Sequence, residues 1–379
     1  MYNLKIGVVG LGLRGRELTK LAANFEGIKI GAVCDIKPEN WYKQQWLSSM
    51  PLSEMFPDAE FYDNYDTMLE QADIDLIIVE TGADIHASFC IKALNKNINV
   101  FTDIPCVATL KEAEDLWQAH KNSTAIVCTG ANPNYQKFTG LLNDFYKKGL
   151  LGTPYCLECE YIHWFWPGGE GDIHYNENGD WRKLLSPIRY CTHSLGPLLT
   201  ILNEDLRKVS CFSTGRHAEK ESYVNITKDD MQCAQFQTKS GVIVRLMRNG
   251  YCRADIGHHN YRVFGTEGYM ERIDRFEKPV IRYNSMKELD TNLKEISGEF
   301  MPPEYADIDA AKLGHDGMDY AMLDNFFNYL CNKKGRPVSL KEGLAMTIPG
   351  IYAEESAKRG GQVIDILYPW DENWTTEIK

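Results

Sequence analysis

The stretch Lys5-Ile6-Gly7-Val8-Val9-Gly10-Leu11-Gly12-Leu13-Arg14-Gly15, running on into Arg16-Glu17-Leu18-Thr19-Lys20-Leu21, decides how the chain is read. Lys5 to Val9 is the kind of short apolar run that a buried parallel strand requires. Gly10, Gly12 and Gly15 then make G-x-G-x-x-G at the turn from strand to helix. The first glycine permits the tight turn, and the second lets a pyrophosphate approach the backbone. The third lets the helix pack close to the strand. The N–H groups opening the helix are available to the anion.

A glycine pattern alone is weak, and the competing reading is an ordinary βαβ unit with a chance triplet. Here a second apolar run, Ile28 to Val33, leads to Asp35, about twenty residues past the last glycine, where a carboxylate accepts both ribose hydroxyls of an adenosine and repels a 2′-phosphate. Strand, turn, helix, strand and acid together predict a dinucleotide site that takes NAD in preference to NADP. Arg14 and Lys37 are the cations able to spoil that preference.

The chain has 379 residues, enough for two domains with full cores, and a net charge of −12, which argues against nucleic acid as a partner. No apolar run approaches the length of a membrane span. The first strand starts within a few residues of Met1, so the expectation is a cytoplasmic protein without a signal peptide. The 11 cysteines are odd in number and scattered, several within strand-like runs (Cys34, Cys128, Cys233), which suits reduced thiols rather than a disulfide framework. Cys156 and Cys159 make a C-x-x-C, but on a strand that spacing sends the thiols to opposite faces, and no metal site is expected.

Beyond Asp35 the pattern keeps alternating. A helix is expected near Tyr65 to Gln71, a strand over Asp75 to Glu80, a helix from Ala83-Asp84-Ile85-His86 to Leu94 and a strand over Ile98 to Thr102. A helix at Leu110 to Lys121 and a strand at Thr124 to Thr129 follow. This predicts an α/β domain over 1–130 with a doubly wound parallel sheet, whose ligands lie beyond the carboxyl ends of the strands. Thr81, His86, Asp103 and Asn132 fall at or near such ends. From 131 to 379 the pattern changes. A helix at Tyr135 to Lys148 precedes strand candidates at Pro154 to His163, Leu206 to Thr214, Met231 to Gln237, Val242 to Arg248 and His259 to Phe264. Helices at Tyr320 to Cys331 and Leu340 to Lys358 close the chain. The second domain is therefore expected to be α+β, with a large mainly antiparallel sheet.

The order of these pieces resembles the Gfo/Idh/MocA family of NAD(P)-dependent enzymes, with an N-terminal Rossmann domain. The likeness is carried by the Gly10/Gly12/Gly15 turn, Thr81 through His86, Asp103-Ile104-Pro105 and Gly265-Thr266-Glu267-Gly268. It implies that NAD lies against Gly10, Gly12, Leu13, Arg14, Asp35, Thr81, Ala83, His86, Asp103, Ile104, Pro105 and Asn132. The family usually has Glu-Lys-Pro where this chain has Asp103-Ile104-Pro105, and an aspartate where Arg189 stands four residues before His193. Within the family, Tyr190-Cys191-Thr192-His193-Ser194-Leu195-Gly196-Pro197 resembles a stretch of the NAD-dependent glycoside hydrolases, the α-N-acetylgalactosaminidase-like family 109. Tyr161-Ile162-His163, Trp181-Arg182, Gly314-His315-Asp316-Gly317-Met318-Asp319 and Glu354-Glu355-Ser356 resemble further segments of that branch. The resemblance implies tightly held NAD in a redox-neutral cycle of oxidation, elimination, hydration and reduction.

His193 is the leading acid/base candidate, since a neutral imidazole takes a sugar hydroxyl proton near physiological pH. The bland alternative is a structural histidine capping a helix that starts near Pro197. Tyr190, Tyr161 and Arg182 are expected to bind sugar hydroxyls or assist a second proton transfer, with Tyr305 and His315 as further substrate contacts. Asp84 reads as a solvated helix-start acid. Among Trp164, Phe165 and Trp166, at least one is expected to wall the pocket against a sugar ring. Three functions compete: the redox-neutral glycosidase acting on a carbohydrate or glycoside, a net sugar dehydrogenase or keto-sugar reductase, and a non-catalytic NAD-binding sensor. A homo-oligomer, dimer or tetramer, is expected through the C-terminal sheet, with neither nucleic acid nor membrane as a partner.

Overall fold

The computed structural model describes residues 2–44, 49–163, 185–217, 229–249, 259–275, 278–297 and 314–379. The chain forms two compact units, Met1–Asn132 with Asp307–Glu342, and Pro133–Ala306 with Gly343–Lys379. Arg182, Tyr305 and the Trp164 to Trp166 run lie outside the described residues.

The first unit is built on β1 (Leu4–Val9), β2 (Ile28–Cys34), β3 (Glu60–Tyr62), β4 (Leu76–Val79), β5 (Asn99–Thr102) and β6 (Val127–Thr129). Every pairing is parallel, and the order is β3-β2-β1-β4-β5-β6. This is the doubly wound order in which the two halves diverge from a switch point beside β1. The strands read as continuous apolar runs because both faces are buried: Ile6, Val8, Ile77, Ile78, Val100 and Phe101 have no exposed surface. Helix α1 (Leu13–Ala22) follows β1. The helix Leu110–Lys121 starts at a capping box, with Thr109 and Glu112 each holding the other's backbone N–H. The helix Met318–Asn332 also belongs to this unit; its Phe327 meets Phe25 edge-on at 5.2 Å, and Tyr320 stacks on Phe25 at 4.3 Å.

The second unit carries a nine-stranded sheet in the order β14-β13-β12-β11-β7-β10-β9-β8-β15. Its strands are β7 (Pro154–Ile162), β8 (Leu206–Ser213), β9 (Met231–Thr238), β10 (Ile243–Asn249), β11 (His259–Gly265), β12 (Gly268–Arg275), β13 (Lys278–Ser285), β14 (Lys294–Ser297) and β15 (Ile364–Asp365). Only β7 and β10 pair in parallel. One face is apolar, with Leu157, Val244, Leu246, Tyr261 and Val263 all fully buried. Phe138 of the helix Lys137–Lys147 stacks on Tyr261 of this face at 5.2 Å. The other face carries a row of directly opposed charges: Arg245, Glu158, Arg262, Glu271, Arg282 and Glu295, on β10, β7, β11, β12, β13 and β14. Ion pairs link Arg245 to Glu158 at 3.1 Å, Arg262 to Glu158 at 2.6 Å, and Arg282 to Glu295 at 3.0 Å.

Two local expectations are corrected. The helix carrying His193 spans Thr192–Leu199, so it starts ahead of Pro197 and contains it. The sheet has strands at β12, β13, β14 and β15 that the sequence did not mark, and the first sheet has one more at β3. Cys156 and Cys159 do alternate across β7, the first half-buried and the second buried. Among the described residues no group of acidic, cysteine or histidine side chains is arranged to hold a metal ion, and no helix is long and apolar enough to cross a membrane.

Candidate functional site

The glycine turn is shaped for an anion. Gly10 has φ +88°, and a Cβ on it would stand 2.5 Å from the Glu80 carbonyl oxygen. A Cβ on Gly15 would run into the Gly10 carbonyl, so only glycine lets α1 sit this close to β1. Gly12 is different, because nothing lies within 4 Å of where its Cβ would be. That opening lies at the start of α1, whose N-cap is Gly12 itself and carries no side-chain cap. Free N–H groups and open space are what a pyrophosphate needs. Asp35, buried just past β2, accepts from the Leu11 N–H at 2.6 Å and from the Lys37 N–H at 2.7 Å. The acid and the turn are thus bonded into one cradle, and these residues fit NAD.

On the other side of β1, past the ends of β4 and β5, stands a cluster that sequence reasoning named only in part. The Arg14 guanidinium grips Asp319 with both arms, at 2.5 and 2.7 Å, and its Nε lies 3.5 Å from Asp103. Asp319 also accepts from Asn132 Nδ2 at 2.9 Å and meets His315 Nδ1 at 2.7 Å. Burial alone would push the Asp319 carboxyl up, but Arg14 and His315 pull it well below the usual carboxylate range. His315 moves upward in turn, through its hydrogen bond to Asp319 and then that residue's charge. Glu80 is raised well above the usual range by burial and then by Asp103. Arg14 is therefore committed to acids beyond β4 and β5, away from Asp35, and does not offer itself to a 2′-phosphate.

The remaining first-unit residues act as walls and braces. His86 is buried, with Nε2 2.8 Å from the Thr81 carbonyl and Nδ1 3.1 Å from the Pro105 carbonyl, so it ties the turn after β4 to the turn after β5. Ala83 and Ile104 are buried, and Leu13 and Thr81 are half-buried. The position of the usual family lysine is thus an aliphatic side chain inside the protein. Asp84 is exposed, as a solvated acid should be.

The second unit brings three predicted residues together. The Tyr190 hydroxyl meets His193 Nε2 at 3.2 Å, with the two rings edge-on at 5.1 Å. Tyr161, at the end of β7, has its ring 5.8 Å from His193 and 6.0 Å from Tyr190. His315 is not in this group; it lies in the first unit, against Asp319. Sequence reasoning missed Arg248 and His259. The Arg248 guanidinium lies 4.0 Å over the Tyr161 ring and donates to the Tyr161 carbonyl at 3.1 Å, while His259 stacks on the same ring at 4.3 Å. A signal for Arg248 was present: with Val244 and Leu246 it occupies the inward phase of its strand, where a charge demands a reason. Arg189, in the place of the usual aspartate, is buried and paired with Glu354 at 2.8 Å, and Glu354 also accepts from Ser186 at 2.9 Å.

A sheet in 3-2-1-4-5-6 order, an open glycine turn on an uncapped helix and an acid past β2 define a dinucleotide-binding enzyme of Rossmann type. Residues 4–131 match the family described as "Oxidoreductase family, NAD-binding Rossmann fold", GFO_IDH_MocA. The chain carries the NAD-binding domain of the Gfo/Idh/MocA oxidoreductases and is an NAD-dependent enzyme. Among curated proteins it is 22% identical to a "Glycosyl hydrolase family 109 protein" of Shewanella pealeana, over 94% of this chain and 83% of that one. It is 23% identical to an "Alpha-N-acetylgalactosaminidase" of Shewanella oneidensis, over 94% and 83% respectively. Among solved structures, "Levoglucosan dehydrogenase, complex with NADH" superposes with a TM-score of 0.78 at 15% identity, over 97% of this chain and 100% of that one.

Proposed function

We propose that the protein is a glycosidase that uses tightly held NAD in a redox-neutral cycle on a carbohydrate substrate. The observation that carries this reading is the contact of the Tyr190 hydroxyl with His193 Nε2 at 3.2 Å, beside the Tyr161 ring. A net dehydrogenase needs one base for one hydroxyl proton. Elimination and hydration need a second proton-transfer group next to the first, and Tyr190 and Tyr161 provide candidates. NAD, when bound in the first unit, supplies a hydride acceptor that later acts as the donor. His193 Nε2 takes the hydroxyl proton of the ring carbon being oxidised. Tyr161 and Tyr190 orient the sugar and move the proton of the neighbouring carbon or the leaving oxygen. Buried Ile104 in place of a lysine points the same way, because it gives no cation to a simple dehydrogenase.

A panel of aryl glycosides tests this by release of phenol without accumulation of NADH. In heavy water, deuterium should enter the carbon next to the transiently oxidised one. His193→Ala should lower turnover roughly a hundred- to ten-thousand-fold with NAD affinity unchanged. Stoichiometric NADH from a free sugar, with no glycoside cleaved, would establish the net sugar dehydrogenase instead.

The polar sheet face supports self-association as a dimer or tetramer. Its six charges alternate, so a second copy with the row reversed sets each arginine against a glutamate. Sedimentation of the wild type and of Arg262→Glu checks this, and a monomeric wild type would overturn it.

A further inference from the structure

We infer that Tyr261 is a positioning residue for His193, acting through a backbone hydrogen bond that Pro197 makes necessary. The inference rests on reading His193 as the base. In an α-helix the N–H of each residue donates to the carbonyl four residues back. Proline has no N–H to give. Pro197 sits inside the helix Thr192–Leu199, so the carbonyl that loses its partner belongs to His193. The Tyr261 hydroxyl donates to that carbonyl at 2.6 Å. A side chain from β11 thus replaces the missing helix bond at the residue whose ring does the chemistry.

The donor is held as firmly as the acceptor. Tyr261 is fully buried, stacked on Phe138 at 5.2 Å with ring planes 13° apart and parallel to His259 at 6.3 Å. Burial pushes its phenol well above the ordinary tyrosine range, so the hydroxyl keeps its proton as a donor at the pH values an enzyme meets. His193 lies in the first turn of its helix, and the Tyr261 bond ties that turn to β11. Without the Tyr261 bond that turn loses its tie to β11, and Nε2 shifts relative to the Tyr190 hydroxyl. A displacement of about 1 Å at a reacting group can cost roughly a hundredfold in rate.

The test uses the full chain as Tyr261→Phe, Tyr261→Phe/Pro197→Ala, Tyr190→Phe and His193→Ala. Nitrogen-15 spectra of the imidazoles identify the His193 Nε2 signal by its loss in His193→Ala, so no substrate is required. Tyr261→Phe keeps both stacked rings and removes only the hydroxyl. It should move the Nε2 signal toward its position in Tyr190→Phe, and lower kcat tenfold to a hundredfold with the NAD Kd unchanged. Adding Pro197→Ala supplies the N–H that the helix lacks, and should return both signal and rate. A Tyr261→Phe signal at the wild-type position overturns the inference, as does a displaced signal that Pro197→Ala fails to restore. Should Tyr261→Phe not fold, the double variant must fold and show the wild-type signal. Undiminished turnover in His193→Ala would remove the reading of the base, a result separate from the signal shifts.

Discussion

Replacing Asp319 by asparagine keeps its size and removes the charge that Arg14 grips. In the wild type the carboxylate meets both Arg14 arms, Asn132 and His315, at 2.5 to 2.9 Å, and its side chain is only 2% exposed. Removing one partner of a buried pair costs about 3–5 kcal/mol, since the other charge stays buried and uncompensated. Asp103, 3.5 Å from Arg14 Nε, retains part of the compensation. The loss should therefore fall at the lower end, about 3 kcal/mol, or about 6–12 °C in Tm for a unit of this size. Arg14→Gln should cost a similar amount by stranding Asp319. The double variant should cost less than the sum by about 0.5–3 kcal/mol, the coupling of residues in contact. Thermal unfolding followed by circular dichroism, at low salt and at high salt, gives all three values. Burial predicts that salt leaves them nearly unchanged. Losses below about 1 kcal/mol, or strict additivity, would refute the reasoning.

The glycine turn separates two effects that usually travel together. Gly15→Ala should destabilise the fold and weaken NAD binding, because its Cβ meets the Gly10 carbonyl. Gly12→Val should melt near the wild type yet lose NAD affinity, because its side chain fills open space; calorimetric titration beside a melt checks both. Asp35→Ser should weaken NAD and narrow its advantage over NADP, and a wild type that already prefers NADP would contradict the assignment. Asp319 holds His315 above the ordinary histidine value. The stability from this contact is complete below about pH 6.5 and is lost as pH rises through the raised value. The stability difference between wild type and His315→Ala should shrink from pH 6 to pH 9, and a difference that grew would count against the contact.

The three-residue edge strand β3 was not marked, but the rest of the parallel sheet was legible because each of its strands announces itself twice, by an apolar run and by the turn residue that ends it. Gly10, Asp35 and Thr81 all do so. The strand β12 was not legible, because both of its faces carry charge. On β12 the inward Arg272 is buried, as is the outward Glu271, so Tyr269-Met270-Glu271-Arg272-Ile273 shows no apolar alternation. Pairing on both sides, not composition, makes it a strand. The Tyr190–His193 contact could be anticipated from its spacing at a helix start. The His315–Asp319 pair was not legible from its four-residue spacing, because His315 stands ahead of the helix Met318–Asn332 with a positive φ and the two do not share a helical face. Arg14 gave no signal, since only the folded chain brings 319 to 14. Tyr261 is equally silent in sequence, because its task exists only once the fold has brought its hydroxyl to the carbonyl of His193, 68 residues earlier.

The row of opposed charges on the second unit also acts as a ruler during assembly of the sheet. A slip of one residue between strands turns the wrong face to the core and is rejected by apolar exposure. A slip of two keeps the faces correct and escapes that check. Here such a slip would set Arg262 against Tyr269 or Ile273 in place of Glu271, and Glu158 against Ile243 or Met247 in place of Arg245. Each misregistered pair forfeits a cross-strand contact worth about 0.2–1 kcal/mol, and the row repeats the comparison at every junction from β10 to β14. Individually weak surface ion pairs thus become a counting device, which tells the right sheet from the almost-right ones while the chain is still choosing between them.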